Sequence, residues 1–260
     1  MLIIEDRFFW SSGPVGVIQQ EDFWDLVSKH VNIYRANSSG TTSSAIVLDD
    51  GREVPTDVVL CGTGWNPSYS FFSCKQASEL GLPHEPQKDS ADEQCWIDLM
   101  QAADREILIK FPILSQPPSN CKPVGNTNLT AARLYHGMAS LTDPSVIFLG
   151  RARMSNNFRG AEAQAIWATA YWDGHITLPP FRVAQREVAY MNAFSRRRYP
   201  TRGFDGINFH ADLVWYTDKI VAEAGLTSHR KSWWEDPEEP CLASDFRDCK
   251  EEYLAKYGYK

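Results

Sequence analysis

The chain has 260 residues, 43% hydrophobic and 23% charged, with a formal net charge of −7. This is an ordinary globular balance, long enough for one large domain or two small ones. The acidic excess argues against a nucleic-acid binder, which needs a basic face, and no apolar run approaches the roughly 18 residues of a membrane-spanning helix. Met1 to Asp6 lacks the basic segment and apolar core of a signal peptide. Six cysteines (Cys61, Cys74, Cys95, Cys121, Cys241 and Cys249) contain no Cys-x-x-Cys pair. They read as free thiols of a reducing compartment, so the expected location is cytoplasmic.

In chain order, Leu2-Ile3-Ile4 reads as a strand with nothing before it. Ser11-Ser12-Gly13-Pro14-Val15-Gly16 is a loop whose glycines match neither G-x-G-x-x-G nor a P-loop. Residues 21–29 read as a short helix with acids in its first turn, where they suit the helix dipole. Residues 31–35 alternate like a half-buried strand, and 37–44 form a polar loop. Ala45-Ile46-Val47-Leu48, Asp50-Gly51 and Glu53-Val54 then spell a hairpin, since the turn needs residues that tolerate positive φ. Asp57 to Leu60 comes next as a continuously apolar strand of the kind covered on both faces, and it ends in Gly62-Thr63-Gly64.

Residues 66–144 carry less pattern. Residues 78–86 read as loop, and 93–109 as a helix with Trp96, Leu99, Met100 and Ala103 on one face. Pro112, Pro117, Pro118 and Pro123 then break all regular structure. Val146-Ile147-Phe148-Leu149 is a second buried strand, stopping at Gly150 as Leu60 stops at Gly62. Residues 160–174 form an Ala-rich helix closed by Gly174, with Ala163, Ile166, Trp167 and Ala170 on a shared face. Helices are also expected over 183–194, 211–224 and 246–257. The triplet Arg196-Arg197-Arg198 reads as a solvated face, and Trp233-Trp234 as an aromatic anchor before an acidic linker.

Two blocks carry a resemblance. The first, Leu48-Asp49-Asp50-Gly51 through Asp57-Val58-Val59-Leu60-Cys61-Gly62-Thr63-Gly64-Trp65, resembles the strand-turn by which flavin-containing and Baeyer–Villiger-type monooxygenases return from the NADP domain to the FAD domain. Gly62 stands where family members usually carry Ala. The second, Phe148-Leu149-Gly150, Glu162-Ala163-Gln164-Ala165-Ile166-Trp167 and Gly174 to Pro179, resembles the last strand and helix of the FAD domain. The resemblance implies an α/β fold: part of a two-dinucleotide-binding-domain (Rossmann-like) flavoprotein, the FAD-domain half plus a helical C-terminal extension. Residues 1–64 would close the NADP-binding domain, 65–180 would be the C-terminal part of the FAD-binding domain, and 181–260 the helical extension.

By that resemblance the activity is an FAD-dependent, NADPH-using monooxygenase acting on a small organic substrate. Thr63, Gly64, Gly150, Gly160 and Gln164 would border the cofactor, with the helix amino end aimed at the flavin pyrimidine ring. Catalytic residues are not identified and no metal spacing occurs. No G-x-G-x-x-G is present, whereas the family has two, so the expectation is a chain equivalent to the carboxyl half, with self-association possible. A non-catalytic remnant or interaction module is the alternative. Another FAD/NAD(P)-dependent reductase comes last, because the cysteine pair common in such reductases is absent.

Overall fold

The computed structural model describes residues 10, 20–62, 69–118, 121, 123, 126–236, 239 and 242–258. Two compact units emerge, Gly16–Ser68 and a larger one comprising Tyr69–Lys260 with Trp10. The smaller unit has one helix, α1 (Phe23–His30), and a sheet of β1 (Ser38–Thr41), β2 (Ala45–Leu48) and β3 (Glu53–Pro55) in the order β1-β2-β3. Helix α1 has Asp25 in its first turn and Lys29 and His30 in its last, both favourable to the dipole, yet buries no residue. The β2–β3 hairpin is as expected. Ile46 faces Val54, and Gly51 takes φ +83°, a conformation that costs an L side chain strain.

Two expectations in this unit fail. Residues 31–35 form no strand, and the strand lies instead within the stretch read as polar loop, as β1. Ladder hydrogen bonds are made by the backbone, so Ser38 to Thr41 can add to the free edge of β2 without an apolar pattern. The apolar run after the hairpin is not a covered strand either. Val58, Val59 and Leu60 are 72%, 52% and 91% exposed and pair with no strand among the described residues.

In the larger unit α2 (Cys74–Leu80) occupies part of the span read as loop. Ser73 and Gln76 form a capping box at its start, and Gly81 ends it at φ +81°. Helix α3 (Ala91–Lys110) starts at the Ser90 cap and buries Trp96, Ala103 and Ile107. A two-stranded antiparallel hairpin comes after it, β4 (Leu134–Tyr135) and β5 (Ala139–Ser140). The helices α4 (Asn157–Trp172), α5 (Phe181–Arg198), α6 (Leu213–Glu223) and α7 (Cys249–Tyr257) complete the unit, each overlapping an expected helix. Helix α5 packs on α3, and α4 on α6.

The core gathers Met138, Trp167, Val188, Tyr216, Ile220 and Phe246 into one cluster, so helices on both sides of residue 180 share it. Arg196-Arg197-Arg198 is not a uniformly solvated face. Arg198 is buried 3.9 Å from Asp212, and Arg197 grips Asp104. Trp233 and Trp234 stack with centroids 3.6 Å apart but stay 71% and 68% exposed, so they anchor into no core.

The chain is thus mixed α/β with small sheets and many helices, and the sheets among the described residues are antiparallel, without the strand layer of the expected Rossmann-like fold. The strand expected over 146–149 shrinks to a single antiparallel bridge, Ile147 to Ala139. A buried parallel strand needs hydrogen-bonding neighbours and covered faces, and here the β4–β5 turn supplies one edge only.

Candidate functional site

The site lies where the segment ending at Gly150 meets α4. Asn156 caps this helix by accepting from the Arg159 amide at 3.2 Å, and alanine-rich sequence sustains it to Trp172. Its inner face places Gln164 and Trp167 in the core, both without solvent exposure. The Gln164 carboxamide oxygen accepts the Gly150 amide at 3.0 Å, and its nitrogen donates to the Tyr216 hydroxyl at 2.9 Å. Tyr216 in turn donates to the His136 carbonyl at 2.9 Å.

From His136 the network continues to the last residue of α6. His136 Nε2 lies 2.7 Å from Glu223 Oε2, and Trp167 Nε1 donates to the same oxygen at 2.9 Å. Burial alone would raise the Glu223 pKa, but the hydrogen bonds from His136 and Trp167 outweigh it and hold it below the ordinary carboxylate value. Burial raises the Tyr216 hydroxyl well above its ordinary value, so it stays protonated and a donor. His136 itself has φ +51°, a strained conformation for a non-glycine residue that the surrounding bonds maintain. The network couples the Gly150 corner to α6.

The structure therefore brings together two expected site residues, Gly150 and Gln164. Gly160 sits on the same helix, but a β-carbon there would collide with the Met154 thioether, and Gly160 is buried. The first turn of α4, expected to aim at the flavin ring, is covered at Gly160 by Met154. The expected inward phase of Trp167 holds. Thr63 and Gly64 lie outside the described residues. Sequence reasoning does not single out His136, Tyr216 or Glu223. Glu223 lies 87 positions beyond His136, and no local motif joins them.

Gly150 is the open point of this corner. It has φ +72°, and a β-carbon there would meet no atom within 4 Å. Beside it, the buried Nε of Arg151 has no hydrogen-bond partner among the described residues, and the guanidinium lies 4.7 Å from the Tyr69 ring centroid. Burial pushes the Arg151 pKa down to about 10, Asp205 partly opposing, so it is still a cation at neutral pH. An open glycine next to an underused cation suits the electron-rich edge of a flat heterocycle such as a flavin ring. These residues fit the ring end of FAD. No glycine-rich turn for its pyrophosphate occurs in the chain. Among the described residues no group of three His, Cys, Asp or Glu side chains could hold a metal, and no helix is long and apolar enough to cross a membrane.

Comparison with known proteins agrees with the sequence blocks. The chain is 31% identical over 246 residues to the FAD-dependent monooxygenase resA of Aspergillus sclerotiorum, covering 87% of this chain and 40% of that protein. It is 30% identical over 276 aligned positions to the FAD-dependent monooxygenase rstn6 of Aspergillus nomiae, covering 100% of this chain and 46% of the relative. A FAD-dependent monooxygenase of Pyrenophora dematioidea is 30% identical over 240 residues, 87% of this chain and 42% of its own. The chain thus spans less than half the length of these curated relatives. No family model matches, and no solved structure gives a significant match. By resemblance over most of its own length, this chain is a relative of the FAD-dependent monooxygenases and matches a portion of them.

Proposed function

We propose that this chain acts as part of an FAD-dependent, NADPH-using monooxygenase, forming the border of the flavin ring at Gly150, with Gln164 holding that border in place from α4, and with Thr63, Gly64 and Gly160 belonging to the same border. The supporting observation is the similarity to proteins named FAD-dependent monooxygenase across 87 to 100% of the chain. FAD, when bound, would supply the redox chemistry that places one oxygen atom from O₂ on a small organic substrate. The chain's own contributions are positional. Gln164 fixes the Gly150 backbone, Arg151 offers positive charge to the ring edge, and the aromatic core behind them excludes water. Residues 57–64 belong to the same reading as the return from an NADP domain, and the cytoplasm as its compartment.

The test uses flavin retention. The 260-residue chain is purified with excess FAD, desalted, and its visible absorbance recorded. Without a pyrophosphate anchor it loses several charge-assisted hydrogen bonds, each worth roughly 1.5–3 kcal/mol, and it should leave the column colourless. A full-length relative should leave yellow. Leucine at its glycine equivalent to Gly150 should strip the flavin with little loss of thermal stability. Full flavin retention by that variant would overturn the reading.

A further inference from the structure

A groove of about 650 Å³ runs between α3 and α5, and none of Gly150, Gly160 or Gln164 lines it. Its volume falls within the range of roughly 300–1,000 Å³ typical of small-molecule sites. Trp96, Ile97 and Met100 of α3, Leu114, and Ala193 of α5 give it apolar walls.

The charged side chains on its lining are not all hydrogen-bonded to one another. Arg133 holds Glu93 with two hydrogen bonds, 3.0 and 2.5 Å, and reaches Asp92 at 3.4 Å. Arg197 holds Asp104 with two more, 2.6 and 2.5 Å. Arg196 faces the same groove with no hydrogen-bonded carboxylate among the described residues, and its guanidinium lies 5.4 Å from the Phe204 ring centroid. Among the described lining residues, Arg133 and Arg197 are thus each engaged by carboxylates, Arg133 by Glu93 and Asp92 and Arg197 by Asp104, while Arg196 is hydrogen-bonded to none. Gln101 adds a side-chain amide at the same wall. An apolar trough with one arginine fork that no carboxylate hydrogen-bonds among the described residues matches a ligand with an apolar body and one carboxylate, because the guanidinium can bind that group bidentately.

We infer that this groove is a binding site for an amphipathic organic carboxylate, seated between Trp96 and Ala193 with its acid group on Arg196. The inference is independent of the flavin reading, since it needs no residue of the Gly150 corner.

Titration calorimetry of the whole chain with decanoate, decanol and decylamine tests it. Decanoate should bind at least about tenfold more tightly than decanol, the equivalent of one charge-assisted contact, and decylamine should bind most weakly. Arg196→Met should remove the advantage of decanoate over decanol while leaving decanol unchanged, and Arg196→Lys should restore part of it. Ile97→Trp, which fills the trough, should weaken all three, with circular dichroism confirming an unchanged fold. No detectable decanoate binding, or equal decanoate affinity in Arg196→Met, would overturn the proposal.

Discussion

Two segments of this chain obey the same rule in sequence and end differently. Val58-Val59-Leu60 and Val146-Ile147-Phe148 are both short apolar runs that feed a glycine. The first is left open to solvent, with Leu60 91% exposed. The second is half-buried: Phe148 donates its amide to the Met138 carbonyl at 2.9 Å, Ile147 bridges Ala139, and the Phe148 ring meets Phe72 edge-on at 6.2 Å. The difference lies in what surrounds each run. The β4–β5 turn presents backbone acceptors and a hydrophobic wall to residues 146–148, while residues 58–60 come after a three-stranded meander and are met by no strand among the described residues. An apolar run states a need for cover and leaves the source of that cover unspecified.

Substitutions can break or sharpen this contrast. The largest effect is expected at the core end, from Trp167→Ala. It empties a fully buried site and removes one donor from Glu223, and should cost about 3–5 kcal/mol in denaturant unfolding. A loss below about 1 kcal/mol would mean that the larger unit is not organised around this side chain.

Acid should act next, and selectively. Glu223 and Glu93 both have pKa values below the ordinary one, because donors outweigh burial: His136 and Trp167 at the first, Arg133 and His84 at the second. Groups depressed in this way stabilise the fold above the unfolded carboxylate pKa of about 4.3, and that stability is lost as pH falls through the folded values. The contribution of these two groups to stability in urea unfolding should therefore be flat from about pH 7 to 5 and fall steeply below about pH 4. Asp50, fully exposed in the hairpin with Arg52, should contribute almost nothing to that fall.

Gln164→Leu cuts both hydrogen bonds that tie Gly150 to Tyr216, and should cost about 1–3 kcal/mol. It should also speed amide exchange at Gly150 more than at Met138, a pattern that general core damage would not produce. In the smaller unit Gly51→Ala should destabilise the hairpin by about 1 kcal/mol, since the turn holds φ +83°. Smallest of all, Leu60→Ser should change stability by less than about 0.5 kcal/mol while reducing light scattering in concentrated solution. A large stability loss there would show that residues 58–60 are covered in solution.

Much of the helical layout is legible in the sequence because it rests on local chemistry. Acids suit the first turn of α1, alanines sustain α4, and Gly174 takes positive φ after its end. The hairpin is legible for the same reason, its turn residues lying next to each other. The capping box at Ser73 and Gln76 is equally local, but the glycine and prolines after α2 dominate the pattern there and hide the helix. The strands are far less legible. Apolar continuity suggests burial, yet a strand exists only through its neighbours, which no short stretch of chain contains.

The sequence by itself determined where the helices other than α2 and the hairpin turn lie, the inward phase of Trp167, and a kinship carried by two short blocks. Each of these depends on residues a few positions apart, where φ preferences, caps and periodicity act. Only the tertiary structure decided that Gln164 bonds to Gly150, that His136 and Trp167 share Glu223, and that Arg196 faces the groove with no hydrogen-bonded carboxylate among the described residues. Those outcomes depend on pairing and desolvation between segments far apart in the chain. The energy of a buried polar group is set by whichever distant partner arrives to satisfy it.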